Sequence, residues 1–125
     1  MTKNIALTAA EKKLAVLIWR EAPLTSPDLV IIAKRKLDWK KSTTYTVLKK
    51  LCDKGIFKNE DANIAVILTS EEHVAIQSRR YVEDTFGGSL PKFITSFFAG
   101  KKLTMEQAEE LKRLIEEHEE EGNNG

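Results

Sequence analysis

Between Lys34 and Lys58 the chain reads KRKLDWKKSTTYTVLKKLCDKGIFK, with nine lysines and arginines against two aspartates. The local net charge is about +7, in a chain whose total is +1. The groups that could do chemistry here are ammonium ions and short hydroxyls. Lysines meet phosphates and release their counterions. Serine and threonine hydroxyls reach base edges, and a threonine methyl packs on a thymine methyl. Val47, Leu48 and Leu51 fall on one helical stripe, with Thr44 on the same side. Ser42, Thr43, Tyr45, Thr46, Lys49 and Lys50 are then expected to point outward. Thr43 and Thr46 suit base edges, while Ser42 and Tyr45 could bond phosphate or base. Lys40, Lys41, Lys49, Lys50 and Lys54 are expected to meet mostly phosphates, which orient a protein on a duplex without reading its sequence. Such a helix would lie in the major groove with its N-terminal half near the bases. A solubilising surface accounts for any one of these lysines, but poorly for the cluster.

Other chemistry finds little support. Cys52 is the one cysteine, so no internal disulfide forms, and with two histidines no zinc-site spacing exists. Cys52 reads as a small buried hydrophobe. Trp19 and Trp39 read as packing residues. There is no glycine-rich phosphate loop and no Ser/His/Asp set, so neither enzyme activity, metal nor cofactor is expected. The chain of 125 residues is long enough for one domain with a small appendage. No apolar run reaches the ~18 residues of a membrane span, and the N-terminus lacks the apolar core of a signal peptide. A cytoplasmic protein without membrane insertion is expected. Residues 103–125 carry eight glutamates against Lys112 and Arg113, an acidic counterweight best read as the wet face of a last helix.

The elements that must position the basic segment are legible from their ends. Thr8 and Glu11 form a capping box ahead of Leu14, Leu17 and Ile18, and Pro23 ends that helix. A second helix is expected from Thr25 or Ser26, and a third from about Lys40 to Lys54, followed by Gly55. Strands are expected at Ile56–Lys58 and Ile64–Leu68, joined by a turn over 59–63. Ile64, Val66 and Leu68 should face inward. Thr69 with Glu72 opens a helix to about Phe86, broken by Gly87. Ser89–Ala99 and a segment capped by Thr104 complete the series.

Three helices, a hairpin and three more helices make a mainly α fold with a small β-hairpin wing, a winged helix-turn-helix plus a C-terminal helical dimerisation segment. The expected division is a DNA-binding domain over 1–70, a helical dimerisation domain over 71–121 and a disordered tail over 122–125. The last three helices are too few to bury Tyr81, Val82, Phe86, Phe93, Ile94, Phe97 and Phe98 alone. The stripe of Leu111, Leu114 and Ile115 needs cover as well. A symmetric homodimer supplies the missing surface.

These residues also carry a resemblance. Trp39–Leu51 with Lys54 and Gly55 resembles the recognition helix of the penicillinase repressor family. Leu7–Trp19 is similar to that family's first helix, and Phe93–Phe97 with Leu103 and Glu109–Ile115 to its dimerisation segment. The resemblance implies a homodimeric transcriptional repressor of β-lactam-resistance or related stress genes, bound to palindromic double-stranded operator DNA. In the antibiotic-resistance branch it further implies a membrane sensor-protease partner that cuts within the C-terminal segment. The matching bond is Ser96–Phe97, although resistance members have Asn where Ser96 stands. The paired C-terminal cysteines of the copper-responsive branch are missing here, which argues against copper sensing. Glu60 and Asp61 at the wing tip would be repelled by phosphate, which argues against a wing that grips DNA. Lys40 stands where the family often has a capping Ser. Two alternatives stay open: a winged-helix module that binds an acidic protein partner, and a regulator sensing a small molecule in an apolar pocket.

Overall fold

The computed structural model describes residues 5–120. Its first helix, α1 (Ala9–Glu21), starts at the expected capping box. The Glu11 amide donates to Thr8 Oγ1 at 3.2 Å, and the Thr8 amide donates to Glu11 Oε1 at 2.9 Å. Thr25 and Asp28 make the same reciprocal cap for α2 (Ser26–Leu37), which carries Pro27 in its first turn, where a missing N–H costs nothing. The helix ends at Asp38 in the left-handed conformation, with φ of 56°. Trp39 and Lys40 then lead into α3 (Lys41–Asp53). Gly55 follows with φ of 80°, a value that favours glycine.

Three short strands form one antiparallel sheet in the order β1-β3-β2: β1 (Leu24–Thr25), β2 (Phe57–Glu60) and β3 (Asn63–Val66). The hairpin differs from the sequence expectation. Asn59, Glu60 and Asn63 belong to the ladder, with Glu60 opposite Asn63, and the turn shrinks to Asp61-Ala62. Both turn residues are left-handed, with φ of 52° and 65°. Two-residue hairpin turns take positive φ at both positions because that twist matches the strands. Turn-forming residues such as Asn59 and Asn63 can equally pair across a short ladder. Strand β1 was not foreseen. It pairs Leu24 with Ile64 and Thr25 with Asn63, and the Ser26 amide donates to the Ala62 carbonyl at 2.8 Å. Ile67 and Leu68, expected in the strand, instead donate their amides to the Ile56 carbonyl, both at 3.0 Å.

Leu14, Ile18, Leu29, Leu48, Leu51, Ile56 and Phe57 form the centre of a core closed by α1, α2, α3 and the sheet. Ile64 joins it, and Val66 and Leu68 pack on its edge, as the alternation of the strand required. The architecture is a mainly helical winged helix-turn-helix.

Beyond it run α4 (Ser70–Phe86), α5 (Leu90–Phe97) and α6 (Met105–Glu117). Capping boxes at Thr69/Glu72 and Thr104/Gln107 start the first and last, and left-handed Gly87 stops α4. One side chain secures the segment just before α4, and one ties α4 itself to the winged helix. Trp19 Nε1 donates to the Leu68 carbonyl at 3.0 Å. His73 Nε2 donates to the Ile5 carbonyl at 2.9 Å, and its ring lies 5.7 Å from that of Trp19. The expected tail over 122–125 lies outside the described residues.

Ala62 is the one apolar residue in the tight turn. An L-residue in this region costs about 1–2 kcal/mol where glycine pays no steric penalty. Glycine's extra chain entropy offsets part of that gain. Ala62→Gly should therefore stabilise the fold by about 0.5–1 kcal/mol, read as a higher urea midpoint. A lower midpoint would show that the turn is relaxed as it stands.

Candidate nucleic-acid interface

The apolar stripe of α3 decides what its other face presents. Thr44, Val47, Leu48 and Leu51 are buried, and the Thr44 hydroxyl donates to the Lys40 carbonyl at 3.2 Å. With that side fixed in the core, Lys40, Lys41, Ser42, Thr43, Thr46, Lys49 and Lys50 all stand exposed. Ser42, Thr43, Thr46, Lys49 and Lys50 share one face because positions three and four apart lie above one another on a helix, and Lys40 and Lys41 stand at its N-terminal end. The Thr46 hydroxyl donates to the Ser42 carbonyl at 2.9 Å, so its proton is committed and its lone pairs can still accept. Lys49 approaches Asp53 only loosely, at 3.8 Å, and both are exposed. Such a pair is worth little and leaves the ammonium available.

The start of α3 is electropositive. Lys40 occupies the N-cap position with no side-chain capping bond, and the first turn holds no acid. An ammonium has no lone pair to offer the helix amides, which costs about 1 kcal/mol relative to a capping Ser. The uncapped amides and the helix dipole then add to the charges of Lys40 and Lys41. Lys34, Arg35 and Lys36 lie in the last turn of α2, and Lys34 is paired with Asp38 at 2.9 Å.

Two of the nine residues singled out are placed differently from the rest. Tyr45 is half-buried against the core, with its hydroxyl donating to Ser26 Oγ at 3.5 Å. It braces α3 on α2. Lys54 turns away from the exposed face. Its ammonium pairs with Glu11 Oε1 and donates to the Ala6 carbonyl at 2.8 Å. Nothing local in the sequence announces this bond. The capping box already accounted for Glu11 and so concealed its second partner. On the wing, Lys58 pairs with Glu60 at 2.7 Å, so their charges cancel, and Asp61 leaves the tip acidic.

The thiol of Cys52 is half-buried and pushed up by that burial, with the charge of Asp53 acting in the same direction and a backbone hydrogen bond at Asn59 against it. It is a poor nucleophile there. Among the described residues no cluster of acids, histidines or cysteine could hold a metal ion, and no helix is long and apolar enough to cross a membrane.

The C-terminal helices present a second kind of surface. None of α4, α5 or α6 has a single buried residue. Rings of Tyr81, Phe86, Phe93, Phe97 and Phe98 follow one another at centroid distances of 5.6–6.3 Å. Val82, Ile94 and Leu111 are half-buried, whereas Tyr81, Phe97, Leu114 and Ile115 remain 45–57% exposed. A groove of about 340 Å³ runs between α5 and α6, and a cleft of about 930 Å³ lies between α1 and α4. The Ser96–Phe97 bond sits in the last turn of α5, and both residues are exposed.

The Glu11 carboxyl is subject to opposing effects. Burial pushes it up, but the hydrogen bonds from Lys54 and the Thr8 amide and the charge of Lys54 outweigh that, so it lies below its usual 4.5. A carboxyl depressed in the folded state contributes stability above its unfolded value, lost as pH falls through the folded one. Unfolding by urea should therefore become easier as pH drops below about 4.5. Glu11→Gln should flatten that acid limb. Exposed Asp38, Glu60 and Glu72 are also depressed and would leave a residual slope. An unchanged limb in the variant would show that Glu11 is not held as its contacts indicate.

Comparison with known proteins places this arrangement. The model of the penicillinase repressor family matches residues 7–117. A penicillinase repressor of Bacillus licheniformis is 20% identical over 122 residues, spanning 94% of this chain and 95% of its own.

Proposed function

Because this chain belongs to the penicillinase repressor family, we propose that it is a dimeric, sequence-specific DNA-binding transcriptional repressor. The observation that carries this reading is the exposed face of α3, where Ser42, Thr43 and Thr46 stand amid Lys49 and Lys50, with Lys40 and Lys41 at the start of the helix. In this account residues 1–70 read DNA and 71–121 join two copies. The lysines hold phosphates and set the register, and Thr43 and Thr46 discriminate bases. The wing contributes less, since its acidic tip would face phosphate.

Dimerisation supports repression through avidity. One module makes few base contacts. Two modules joined rigidly act on both halves of a palindrome at high effective concentration, a gain of about 10²–10⁴. The unburied aromatic row of α4 and α5 and the stripe on α6 supply an apolar face for a second copy. Cutting Ser96–Phe97 would sever α6 and Phe97 from that face, remove the avidity and free the operator. A membrane sensor-protease and β-lactam-resistance or related stress genes fit this reading as signal and target.

Thr43→Ala and Thr46→Ala should each cost about 1–3 kcal/mol on the duplex from upstream of the chain's own gene, and much less on a scrambled duplex. Equal losses on both would remove the threonines from base reading. Phe97→Asp should convert a dimer to monomer in analytical ultracentrifugation and weaken upstream-duplex binding by about tenfold or more. A variant that sediments as the parent does would move the interface elsewhere. Mass spectrometry after exposure to the activated cognate sensor should find fragments divided at Ser96–Phe97. An intact chain would exclude relief by this cut.

A further inference from the structure

The ion pair between Glu11 and Lys54 joins α1 to α3. The two residues lie 43 apart in sequence, one in the first turn of α1 and the other at the C-terminal end of α3. Glu11 Oε1 accepts both the Thr8 amide at 2.9 Å and the Lys54 ammonium. The same ammonium also holds the Ala6 carbonyl at 2.8 Å. One carboxylate oxygen thus closes the cap of α1 and fastens the far end of α3. Glu11 is 4% exposed, too deep to meet a duplex. The Lys54 side chain is 24% exposed, against 78% for Lys49 on the outward face.

Leverage makes this fastening matter. A helix of 13 residues is about 20 Å long at 1.5 Å per residue. A tilt of about 3° about its C-terminal end moves the first turn by about 1 Å. Hydrogen bonds to base edges tolerate only about 0.5 Å of variation in donor–acceptor distance. Resting on the DNA-reading function proposed above, we propose that Glu11 and Lys54 are positioning residues, a clamp that fixes the tilt of α3 so that Thr43 and Thr46 meet base edges in register. Lys54 is then an internal strut and not a phosphate contact. Removing one partner of a buried pair strands the other's charge, so α3 would shift to rehydrate it.

The test uses the full chain as wild type, Glu11→Gln, Lys54→Met, Lys54→Arg and the double variant E11Q/K54M. Affinities for the upstream and scrambled duplexes are measured at several salt concentrations, at a temperature where circular dichroism shows each variant folded. Hydrogen exchange of the α3 amides is followed without DNA. E11Q and K54M should each lower the upstream-to-scramble ratio by about tenfold with an unchanged salt slope, and the double variant should lose no more than either single. Lys54→Arg should keep the ratio, and the last turns of α3 should exchange faster in E11Q. The proposal is overturned if E11Q leaves ratio and exchange untouched while K54M weakens both duplexes alike and lowers the salt slope by about 1, the signature of a phosphate contact. A wild type that does not distinguish the duplexes would refute the DNA reading itself, and exchange in E11Q would then decide the clamp alone. Should E11Q not fold, K54M against K54R gives the same comparison, with the ratio lost in Met at constant salt slope or the slope lowered instead.

Discussion

Thr44, Val47, Leu48 and Leu51 leave α3 only one way to face. Each is buried, and together they lock against Leu14 and Ile18 of α1 and Leu29 of α2. A one-residue rotation of the helix, about 100°, would drive Tyr45 and Lys49 into the core and expose Val47 and Leu51. An unpaired buried ammonium alone costs several kcal/mol. The outward set from Lys40 to Lys50 is therefore a consequence of the inward set. The apolar stripe decides which side of α3 is basic, and the clamp proposed for Glu11 and Lys54 concerns its tilt and not its facing. Even the unfavourable N-cap at Lys40 persists because the stripe below it is secured.

The same logic separates the two halves of the chain. Residues from Ile5 to Leu68 close a core with fully buried side chains, while α4, α5 and α6 bury none. Exposed rings such as Phe97 and Tyr81 cost solvation that folding of a lone chain does not recover. Exposed apolar surface of this kind marks an interaction site. Function in this account divides likewise. Affinity for one half-site comes from a self-sufficient reader, and the gain from joining two readers comes from helices that are incomplete alone. Under the proposed function, a signal that acts on the second half would silence the first without touching its residues.

Local chemistry was legible in the sequence, and non-local pairing was not. Thr8 with Glu11, Thr69 with Glu72 and Thr104 with Gln107 announce helix starts, because capping spans three residues and depends on nothing distant. The stripe of α3 and the inward turn of Ile64 follow from periodicity. Strand β1 escaped notice because two residues carry no period, and Leu24 becomes a strand only through Ile64, 40 positions away. The hairpin turn is narrower than the turn-forming Asn59 and Asn63 suggest, because ladder pairing of Glu60 with Asn63 sets the register. Lys54 looked like its neighbours in the basic cluster. Its ammonium is held by Glu11, which no local pattern connects to it.

In the proposed function the α3 face of a dimer reads DNA sequence. The most direct test is a fluorescence-anisotropy titration of the full chain against the duplex from upstream of its own gene and a scrambled duplex, at two salt concentrations. The account predicts two protomers per upstream site, at least about 10³-fold weaker binding to the scramble, and a steep loss of affinity as salt rises. Equal, weak binding to both duplexes would contradict it and leave the lysines as a charged surface for another partner.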